Sequence, residues 1–325
     1  MRITLITPAA PRSRAGNRAT ARRWAGLLRE LGHRVTIATS EDGAAAARRP
    51  ADALIALHAW RSAEAIRASA DHAPGRPLVV ALTGTDIYRF QHSDPQVTLA
   101  SMDRAHALIG LHGRLAADIP ARFADRLYPV YQSAQPLPAS YPGPPARSFR
   151  VLVAGHLRAE KDPLRAALAT RGLPAGSAIR VVNLGRAYDE GWAEAARAEL
   201  AVNPRFSWHG EVSHGRVRRL MAASHLMVMS SIMEGGANVV SEACVAGLPV
   251  IASDIPGNRG LLGDDYPAYY PAEDTAALRA LLQRAEAEPA LLAELRERCR
   301  ALAPWFTPES ERDGLARALA AAGAG

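Results

Sequence analysis

The chain has 325 residues with a formal net charge of +7, and 48% of its residues are hydrophobic. This length and composition are typical of a two-domain globular protein and exclude a disordered or fibrous chain. No apolar run is long enough to span a membrane, and the spacing of Cys244 and Cys299 suits neither a metal site nor a disulfide framework. Because the N-terminus enters an apolar strand pattern at once, no signal peptide is expected, and we predict a cytoplasmic protein.

Short apolar segments typical of strands recur through the first half, at residues 3–7, 34–39, 54–57, 78–82 and 107–111. Helical patterns lie between them, and the clearest covers residues 17–31 and stops at Gly32. Its apolar face consists of Trp24, Leu27, Leu28 and Leu31. Strands alternating with helices predict a mostly parallel sheet with helices on both faces.

A proline-rich segment, residues 131–148, predicts a linker. The alternation then restarts with strand patterns at 150–154, 179–184, 206–208, 226–229 and 249–253. Helical patterns begin at Pro163, Glu190, Val217 and Asn238. From Asp274 onward the chain is predicted to be helical, with breaks at Pro289 and at residues 304–308. We therefore predict two α/β domains of similar pattern.

The stretch from Glu234 to Glu242 is the most informative part of the sequence. It follows an apolar strand pattern, contains a turn at Gly235 and Gly236, and opens a helical pattern at Asn238. A helix N-terminus attracts an anion, and carboxylates accept hydrogen bonds from hydroxyl groups. Since ligands of open parallel sheets bind beyond the carboxyl ends of the strands, we predict a nucleotide-sugar site here.

Arg158 and Lys161 follow the strand pattern at 150–154, and Lys161 is the one lysine among 39 Lys and Arg residues. A lysine kept in a chain that otherwise uses arginine indicates a need for a compact point charge. Together with a helix dipole, these cations would stabilise a departing nucleotide diphosphate. The other interpretation is a surface salt-bridge cluster with Glu160 and Asp162.

Glu242 lies in an apolar helical pattern, with apolar neighbours on both sides. It either points to solvent or is buried, and a buried carboxylate requires hydrogen-bond donors. Solvent is scarce on any face of such a helix. The vicinal hydroxyls of a ribose would supply the donors, so we expect Glu242 to be buried and to bind ribose.

Polar residues follow four strand patterns of the first half, and three of these four exits supply arginine. Four such exits at one sheet edge predict a cationic pocket. In chain order they carry Arg12, Ser13, Arg14, Gly16, Asn17, Arg18 and Thr20; His58, Trp60 and Arg61; Thr83, Gly84, Thr85, Asp86 and Tyr88; and His112 and Arg114.

Segments 234–243 and 247–254 closely resemble the donor-site signature of glycosyltransferase family 4, and segment 155–161 resembles that family's phosphate-binding Arg/Lys loop. The resemblance implies an α/β fold of the GT-B type, with two Rossmann-like domains facing across a cleft. It implies an N-terminal acceptor-binding domain at 1–145 and a C-terminal donor-binding domain at 146–303. The last segment, 304–325, would be a helix that crosses back to the first domain.

The resemblance also implies roles for the donor-site residues. Arg158, Lys161 and Glu234 would be catalytic, Glu242 would bind the ribose, and Glu234 would bind the sugar ring hydroxyls. The full donor site would comprise Gly155, Arg158, Lys161, Glu234, Gly235, Gly236, Ala237, Asn238, Val239 and Glu242. Family members are usually retaining and metal-independent, so we expect no metal and no cofactor besides the UDP-sugar substrate.

A narrower similarity, over segments 11–21, 57–62 and 82–88, is to the selenosugar synthases of selenoneine biosynthesis. These enzymes join UDP-N-acetylglucosamine or UDP-glucose to selenophosphate and form a carbon–selenium bond. The implied partners are these two small molecules, with no nucleic acid and no membrane. The implied acceptor-binding residues are Arg12, Arg14, Gly16, Asn17, Arg18, Thr20, His58, Arg61, Thr83, Gly84, Thr85 and Asp86. The chain departs from many family members in its first loop, where Gly16 stands in place of a Gly-Gly pair.

Three alternatives stay open on the sequence. The first is a family 4 glycosyltransferase with a hydroxyl acceptor, and the second is a UDP-sugar epimerase or hydrolase on the same fold. The third is a nucleic-acid-binding protein, suggested by the net charge of +7. Against the third, the arginines are spread along the chain without a basic run or an aromatic-interleaved motif.

Overall fold

The computed structural model of the protein describes residues 1–13 and 15–324. Arg14, which was predicted to bind the acceptor, lies outside the described residues, as does Gly325. The chain divides into two compact units. Unit 1 contains residues 1–133, residues 234–238 and the chain from residue 307 onward, and unit 2 contains residues 134–233 and 239–306.

Unit 1 is built on a six-stranded sheet in which each described pair of neighbouring strands is parallel. The strand order is β2-β1-β3-β4-β5-β6. The strands are β1 (Arg2–Thr7), β2 (Arg34–Thr39), β3 (Ala53–Leu57), β4 (Leu78–Leu82), β5 (Ala107–Gly110) and β6 (Leu127–Pro129). The five predicted strands are confirmed to within one residue at each end. The sixth, β6, was not predicted, because three residues that end in proline carry no strand periodicity.

Helices cover both faces of this sheet, as the alternating pattern predicted. They are α1 (Gly16–Glu30), α2 (Gly43–Ala47), α3 (Ala63–His72), α4 (Gln91–Ser93) and α5 (Pro95–Arg104). Trp24 and Leu28 of α1 are fully buried on one face, and Ile66 and Met102 are buried on the other. Leu31 was predicted to share the apolar face of α1, but this is wrong: the helix ends at Glu30, and Leu31 is 37% exposed.

Unit 2 also has a six-stranded parallel sheet, in the order β12-β11-β10-β7-β8-β9. The strands are β7 (Phe149–Ala154), β8 (Ile179–Leu184), β9 (Phe206–Trp208), β10 (Leu226–Met229), β11 (Val250–Ser253) and β12 (Tyr269–Tyr270). The helices are α6 (Arg165–Thr170), α7 (Glu190–Val202), α8 (His214–Ala222), α9 (Asn238–Ala246), α10 (Pro256–Leu262), α11 (Thr275–Ala287) and α12 (Pro289–Leu302). The two-residue strand β12 and the helix α10 were not predicted. The linker segment, residues 131–148, contains neither helix nor strand.

Two predicted helix starts are corrected by local backbone chemistry. The helix expected from Pro163 begins at Arg165, after Asp162 adopts a left-handed φ of 41°. The helix expected from Val217 begins three residues earlier, at His214. Ser213 caps it, because its side chain accepts a hydrogen bond from the backbone N–H of Arg216. This second correction places His214 at a helix N-terminus.

The last helix, α13 (Pro308–Ala321), belongs to unit 1, where it packs against α1, β5 and β6. This is the predicted return of the C-terminal helix to the first domain. Among the described residues, the structure contains no helix with the length and apolar character needed to cross a membrane.

Glu311 fixes α13 to unit 1 through a fully buried carboxylate. Its two oxygens accept hydrogen bonds from Trp24 Nε1 at 2.6 Å, Arg23 Nε at 2.7 Å and Ser133 N at 2.9 Å. The hydroxyl of Ser133 also donates to it. A buried carboxylate is tolerated only when it is saturated with donors in this way. Without Glu311, the donor groups of Arg23, Trp24 and Ser133 would lose this buried acceptor.

Gly185 allows the loops after β7 and β8 to approach each other in unit 2. Its φ is +141°, and a Cβ built on it would lie 2.0 Å from the carbonyl oxygen of Gly155. The loops are joined by a hydrogen bond from Leu157 N to Arg186 O at 2.9 Å. Only glycine suits this backbone and this spacing. Gly185 therefore sets the position of the loop that carries Arg158 and Lys161.

We expect Glu311→Ala to lower the free energy of unfolding by about 3–5 kcal/mol, because it leaves a half-buried guanidinium and three other donors without an acceptor. Urea denaturation measures this loss. The control is Glu309→Ala on the exposed surface of the same helix, which should change stability by less than about 0.5 kcal/mol. Equal losses in the two variants would contradict the anchoring role of Glu311.

We expect Gly185→Ala to lower the free energy of unfolding by about 1–3 kcal/mol or more, because a methyl group displaces the loop at Gly155 and strains the backbone. The matched control is Gly176→Ala, where an added Cβ meets no atom within 4 Å. Urea denaturation of both variants makes the comparison. If alanine is as well tolerated at 185 as at 176, the loops do not depend on this close approach.

Candidate active site

Lys161 lines a cavity at the carboxyl ends of the adjacent strands β7 and β10 of unit 2. The cavity is also lined by Gly155, which follows β7, and by Ser230 and Ser231, which follow β10. The Ser230 hydroxyl donates to the carbonyl oxygens of Lys161 at 3.1 Å and Asp162 at 2.8 Å. The backbone N–H of Ile232 donates to Glu160 O at 3.0 Å. The segment after β10 thus fixes the lysine loop from its neighbouring strand. Gly155 and Lys161 lie together here, and their predicted donor binding stays a prediction.

The acidic residues of this loop are paired with arginines. Glu160 lies 3.8 Å from Arg158 Nε, and Asp162 forms a 2.6 Å ion pair with Arg165. Burial is the main cause that raises the pKa of Asp162, and the hydrogen bond from Arg165 opposes it. The sequence allowed a second interpretation of this loop, a surface salt-bridge cluster of Arg158 and Lys161 with Glu160 and Asp162. The structure contains the pair of Arg158 with Glu160 from this cluster. Since Arg158 is half-buried and its Nε contact is long, its guanidinium can exchange Glu160 for an anionic ligand.

Further cations surround His156, which follows Gly155. Arg186, Arg158 and Lys161 all act to lower the pKa of its imidazole, although burial is the largest cause and Glu211 opposes it. A neutral His156 is expected near pH 7. Arg186 was not predicted as a site residue. It follows β8 at the same sheet edge, so the strand-exit rule applied to the second half would have found it.

Glu242, the predicted ribose ligand, lies on α9 with its side chain 22% exposed. Burial was expected from its apolar sequence neighbours, with exposure to solvent as the alternative, and the structure shows a partly buried side chain between the two. Its Oε1 lies 3.4 Å from Nε2 of His214, whose side chain is 67% exposed. The interaction with Glu242 is the largest cause that raises the pKa of His214. His214 was missed on the sequence, because it lies 28 positions before Glu242 and its helix was predicted to begin later.

The segment from Glu234 to Asn238 belongs to unit 1. A Cβ on Gly235 would lie 2.4 Å from Gly84 N, and one on Gly236 would lie 2.4 Å from Leu111 Cβ. Close packing within unit 1, against the backbone of Gly84 and the side chain of Leu111, therefore explains why both positions are glycine. Glu234 is buried beside them, and Ala237 is buried as well. The predicted contact of these residues with a sugar stays a prediction.

The first loop of unit 1 connects β1 to α1. Arg12 and Gly16 are exposed, and Arg18 is half-buried. Burial, together with nearby Arg22, lowers the pKa of Arg18. Within the described part of the chain, Arg18 Nε is buried and has no hydrogen-bond partner. A buried guanidinium nitrogen without an acceptor is suited to an incoming anion.

The loop residues after β3 and β4 form one hydrogen-bonded group. His58 Nδ1 accepts the backbone N–H of Arg61 at 3.1 Å, so Nε2 carries the proton and donates to Thr85 Oγ1 at 2.8 Å. Burial lowers the pKa of His58, despite the opposing effect of Asp86. We infer that His58 is neutral and that it joins the two loops.

Asp86 organises the same two loops from within. Its carboxylate is fully buried and accepts backbone N–H groups of Ala59, Thr83 and Gly84 at 2.7–3.1 Å. The indole of Trp60 stacks on Phe90, with 4.0 Å between the ring centroids. Both contacts hold the β3 exit against the β4 exit. Among the predicted acceptor residues, the structure thus brings His58, Thr83, Gly84, Thr85 and Asp86 together.

Thr20 does not share that position. It is buried within α1, where its hydroxyl accepts a 2.6 Å hydrogen bond from Gln132 Nε2. Asn17 uses its backbone oxygen to accept from Thr7 Oγ1 at 3.3 Å. These two predicted residues therefore contribute to the packing of the first loop and its helix. A direct contact of either with the acceptor stays a prediction.

A second buried histidine follows β5. His112 Nδ1 accepts the backbone N–H of Arg114 at 3.3 Å, so Nε2 donates to Tyr88 Oη at 3.2 Å. Tyr88 in turn donates to Asp118 at 2.8 Å. Burial lowers the pKa of His112 to about 4. Because both of its nitrogens are satisfied inside the unit, His112 orients Tyr88 rather than offering a free base.

The second half of the chain is similar to a known protein family. Residues 142–303 match the family model described as glycosyl transferases group 1. A comparison with curated proteins gives no match.

Solved structures similar to this chain cover nearly all of it. Alr3699/HepE of Anabaena, in complex with UDP and glucose, has a TM-score of 0.78 and 16% sequence identity over 98% of this chain and 99% of that chain. Sucrose-phosphate synthase (tll1590) of Thermosynechococcus elongatus has a TM-score of 0.76 and 17% identity over 97% of each chain. The lipopolysaccharide outer core galactosyltransferase WaaB, in its apo form, has a TM-score of 0.67 and 15% identity over 98% of this chain and 99% of that chain. Residues 142–303 therefore resemble the glycosyl transferases of group 1, and the chain as a whole has the GT-B fold.

Proposed function

We propose that the protein transfers a sugar from UDP-N-acetylglucosamine or UDP-glucose to selenophosphate and so makes a selenosugar. The observation that carries the donor half of this proposal is the cavity at the ends of β7 and β10, which is lined by the sole lysine of the chain. The solved structure of Alr3699/HepE in complex with UDP-glucose supports the same donor class.

Lys161 and Arg158 bind the diphosphate in this proposal. A lysine supplies a compact charge and an arginine supplies a fork of donors, and both are suited to phosphate oxygens. Glu242 accepts hydrogen bonds from the ribose hydroxyls, and Glu234 accepts from the sugar ring. Gly155, Gly235, Gly236, Ala237, Asn238 and Val239 contribute their backbone or small side chains to the donor site.

The reaction breaks the bond between the anomeric carbon and the diphosphate oxygen, and the selenium atom of the acceptor forms the new bond to that carbon. UDP leaves, and the selenium of the first product still carries the phosphate. Attack of water at phosphorus then breaks the selenium–phosphorus bond and releases phosphate and the selenosugar. Negative charge develops on the departing UDP as the bond breaks. Arg158 and Lys161 act by stabilising that charge, which lowers the barrier to departure. Glu234 acts by holding the sugar ring in the reacting orientation.

Selenophosphate requires cations more than it requires a base. A hydroxyl acceptor usually needs a general base, whereas a selenium anion is already ionised and is a soft nucleophile, as a thiolate is compared with a thiol. Arg12, Arg14, Arg18 and Arg61 are our proposed ligands for the acceptor phosphate. The unpartnered Arg18 Nε supports this choice. Asp86 and His58 support it indirectly, because they hold the loops around Thr83, Gly84 and Thr85.

Transfer to a hydroxyl acceptor is the second candidate. The similarity to sucrose-phosphate synthase and to a lipopolysaccharide outer core galactosyltransferase favours it, because both names refer to carbohydrate products. The two candidates share the donor and differ in the acceptor. Incubation with a UDP-sugar, with and without selenophosphate, separates them by the mass of the product.

We expect Lys161→Ala to weaken UDP binding by roughly 10–100-fold, which corresponds to the loss of a charge-assisted contact of about 1.5–3 kcal/mol. Isothermal titration calorimetry measures the dissociation constant. The control is Arg197→Ala on α7, which removes one exposed cation that pairs only with Glu190 in the described structure. A Lys161→Ala variant that binds UDP as tightly as Arg197→Ala would rule out the proposed diphosphate site.

We expect Arg18→Ala to raise the Michaelis constant for selenophosphate by about 10-fold or more, because it removes the guanidinium with the unpartnered nitrogen. Alanine at position 12, 14 or 61 tests the other proposed ligands. The readout is mass-resolved selenosugar formation at saturating UDP-sugar. Unchanged constants in all four variants would remove the arginines from the acceptor site, and a product without selenium would favour the hydroxyl acceptor.

A further inference from the structure

The imidazole of His214 lies at the outer side of the Glu242 carboxylate. Its Nε2 is 3.4 Å from Oε1, and its side chain is three times as exposed as that of the glutamate, at 67% against 22%. The imidazole is thus the more solvent-exposed partner of this contact. A cationic or donating group at this distance can restrict the orientation of the carboxylate.

The position of His214 is fixed by its own helix. Ser213 caps α8, so His214 is the first helical residue. One turn later, Arg218 donates to the carbonyl oxygens of Gln135 at 3.0 Å and Pro136 at 2.6 Å. These contacts anchor the start of α8 within unit 2. The imidazole is thus presented from a fixed backbone rather than from a loop.

The contact leaves most of the carboxylate available. An ionised carboxylate has about four lone-pair positions on its two oxygens. The 3.4 Å contact with His214 involves Oε1, so both positions on Oε2 remain for a ligand. Two vicinal hydroxyls need two such positions. A carboxylate held on one side can therefore receive a ribose diol on the other.

We propose that His214 is a positioning residue that orients Glu242 to receive the ribose hydroxyls of the nucleotide donor. The inference rests on the proposed function, because it assumes a nucleoside diphosphate in unit 2. It predicts that the effect of His214 is confined to ligands that carry the ribose diol. It also predicts that the effect falls on donor affinity rather than on turnover.

Protonation strengthens the contact, since an imidazolium donates a charge-assisted hydrogen bond. The charged groups that act on the imidazole are Glu242 on α9, which raises its pKa, and Arg218 on α8, which lowers it. The net direction is upward. The charged pair is fully formed below the ordinary pKa of histidine and is lost as the pH rises through the raised value. Donor affinity should therefore fall as the pH rises through that range.

The experiment measures UDP binding by calorimetry between about pH 5.5 and pH 8.5, the range in which histidine titrates. The proteins are the wild type, His214→Ala, His214→Gln and Glu242→Gln. We expect His214→Ala to weaken UDP binding by roughly 3–10-fold near pH 6 and to flatten the pH profile, since about 1 kcal/mol is lost. His214→Gln should restore part of the affinity without the pH dependence, because an amide donates but does not titrate. In a turnover assay, the Michaelis constant should rise while kcat stays within about twofold.

Two controls keep the outcomes distinct. His92→Ala removes an exposed histidine of unit 1 and should leave UDP binding unchanged. Binding of 2′,3′-dideoxy-UDP, which lacks the diol, should be equal in the wild type and in His214→Ala. If the wild type does not bind UDP, the proposed function fails. If the wild type binds UDP and Glu242→Gln loses affinity while His214→Ala matches the wild type at every pH, the positioning role of His214 is overturned.

Discussion

Parallel pairing of the described strands is the constraint from which the arrangement of this protein follows. Parallel strands all end at the same edge of their sheet, so the residues that follow them converge there. In unit 2 this brings Gly155, after β7, together with Ser230, after β10, around Lys161. In unit 1 it brings the loops after β3 and β4 together around Asp86. The chemistry of each unit is confined to that edge.

Buried carboxylates hold the architecture around these edges. Asp86 and Glu311 are both fully buried and saturated by donors; Asp86 receives them from its own loop and from the loop after β3, and Glu311 from segments distant in sequence. Asp86 uses backbone N–H groups and orders loops, whereas Glu311 uses side chains and orders a helix. A saturated carboxylate in a low-dielectric interior is costly to disturb, so both residues specify geometry more than they add net stability. The exposed pair of Glu242 and His214 differs, because solvent can replace either partner.

The sequence predicted the strands well, because buried parallel strands are continuous apolar runs. It failed for β6 and β12, which are too short to show a period. It also failed at the start of α8, which was predicted at Val217 and lies at His214. The only sequence signal for the true start is the single capping residue Ser213. The lysine loop and the Glu234–Glu242 stretch were predicted as donor-site segments because they come shortly after strand patterns, and that role stays a prediction. His214, Gln132 and Glu311 were not found, since their partners lie 28, 112 and 287 positions away.

The presence of a single lysine in the sequence makes selective chemical labelling possible. It is the one lysine side chain in the sequence, and it lines the cavity at the ends of β7 and β10. Reductive methylation with isotopically labelled formaldehyde would therefore modify only one side chain, that of Lys161, besides the N-terminal amine. The nuclear magnetic resonance signal of the labelled methyl groups would then report the local electric environment without any mutation. The scarcity of lysine gives this molecule a built-in spectroscopic probe.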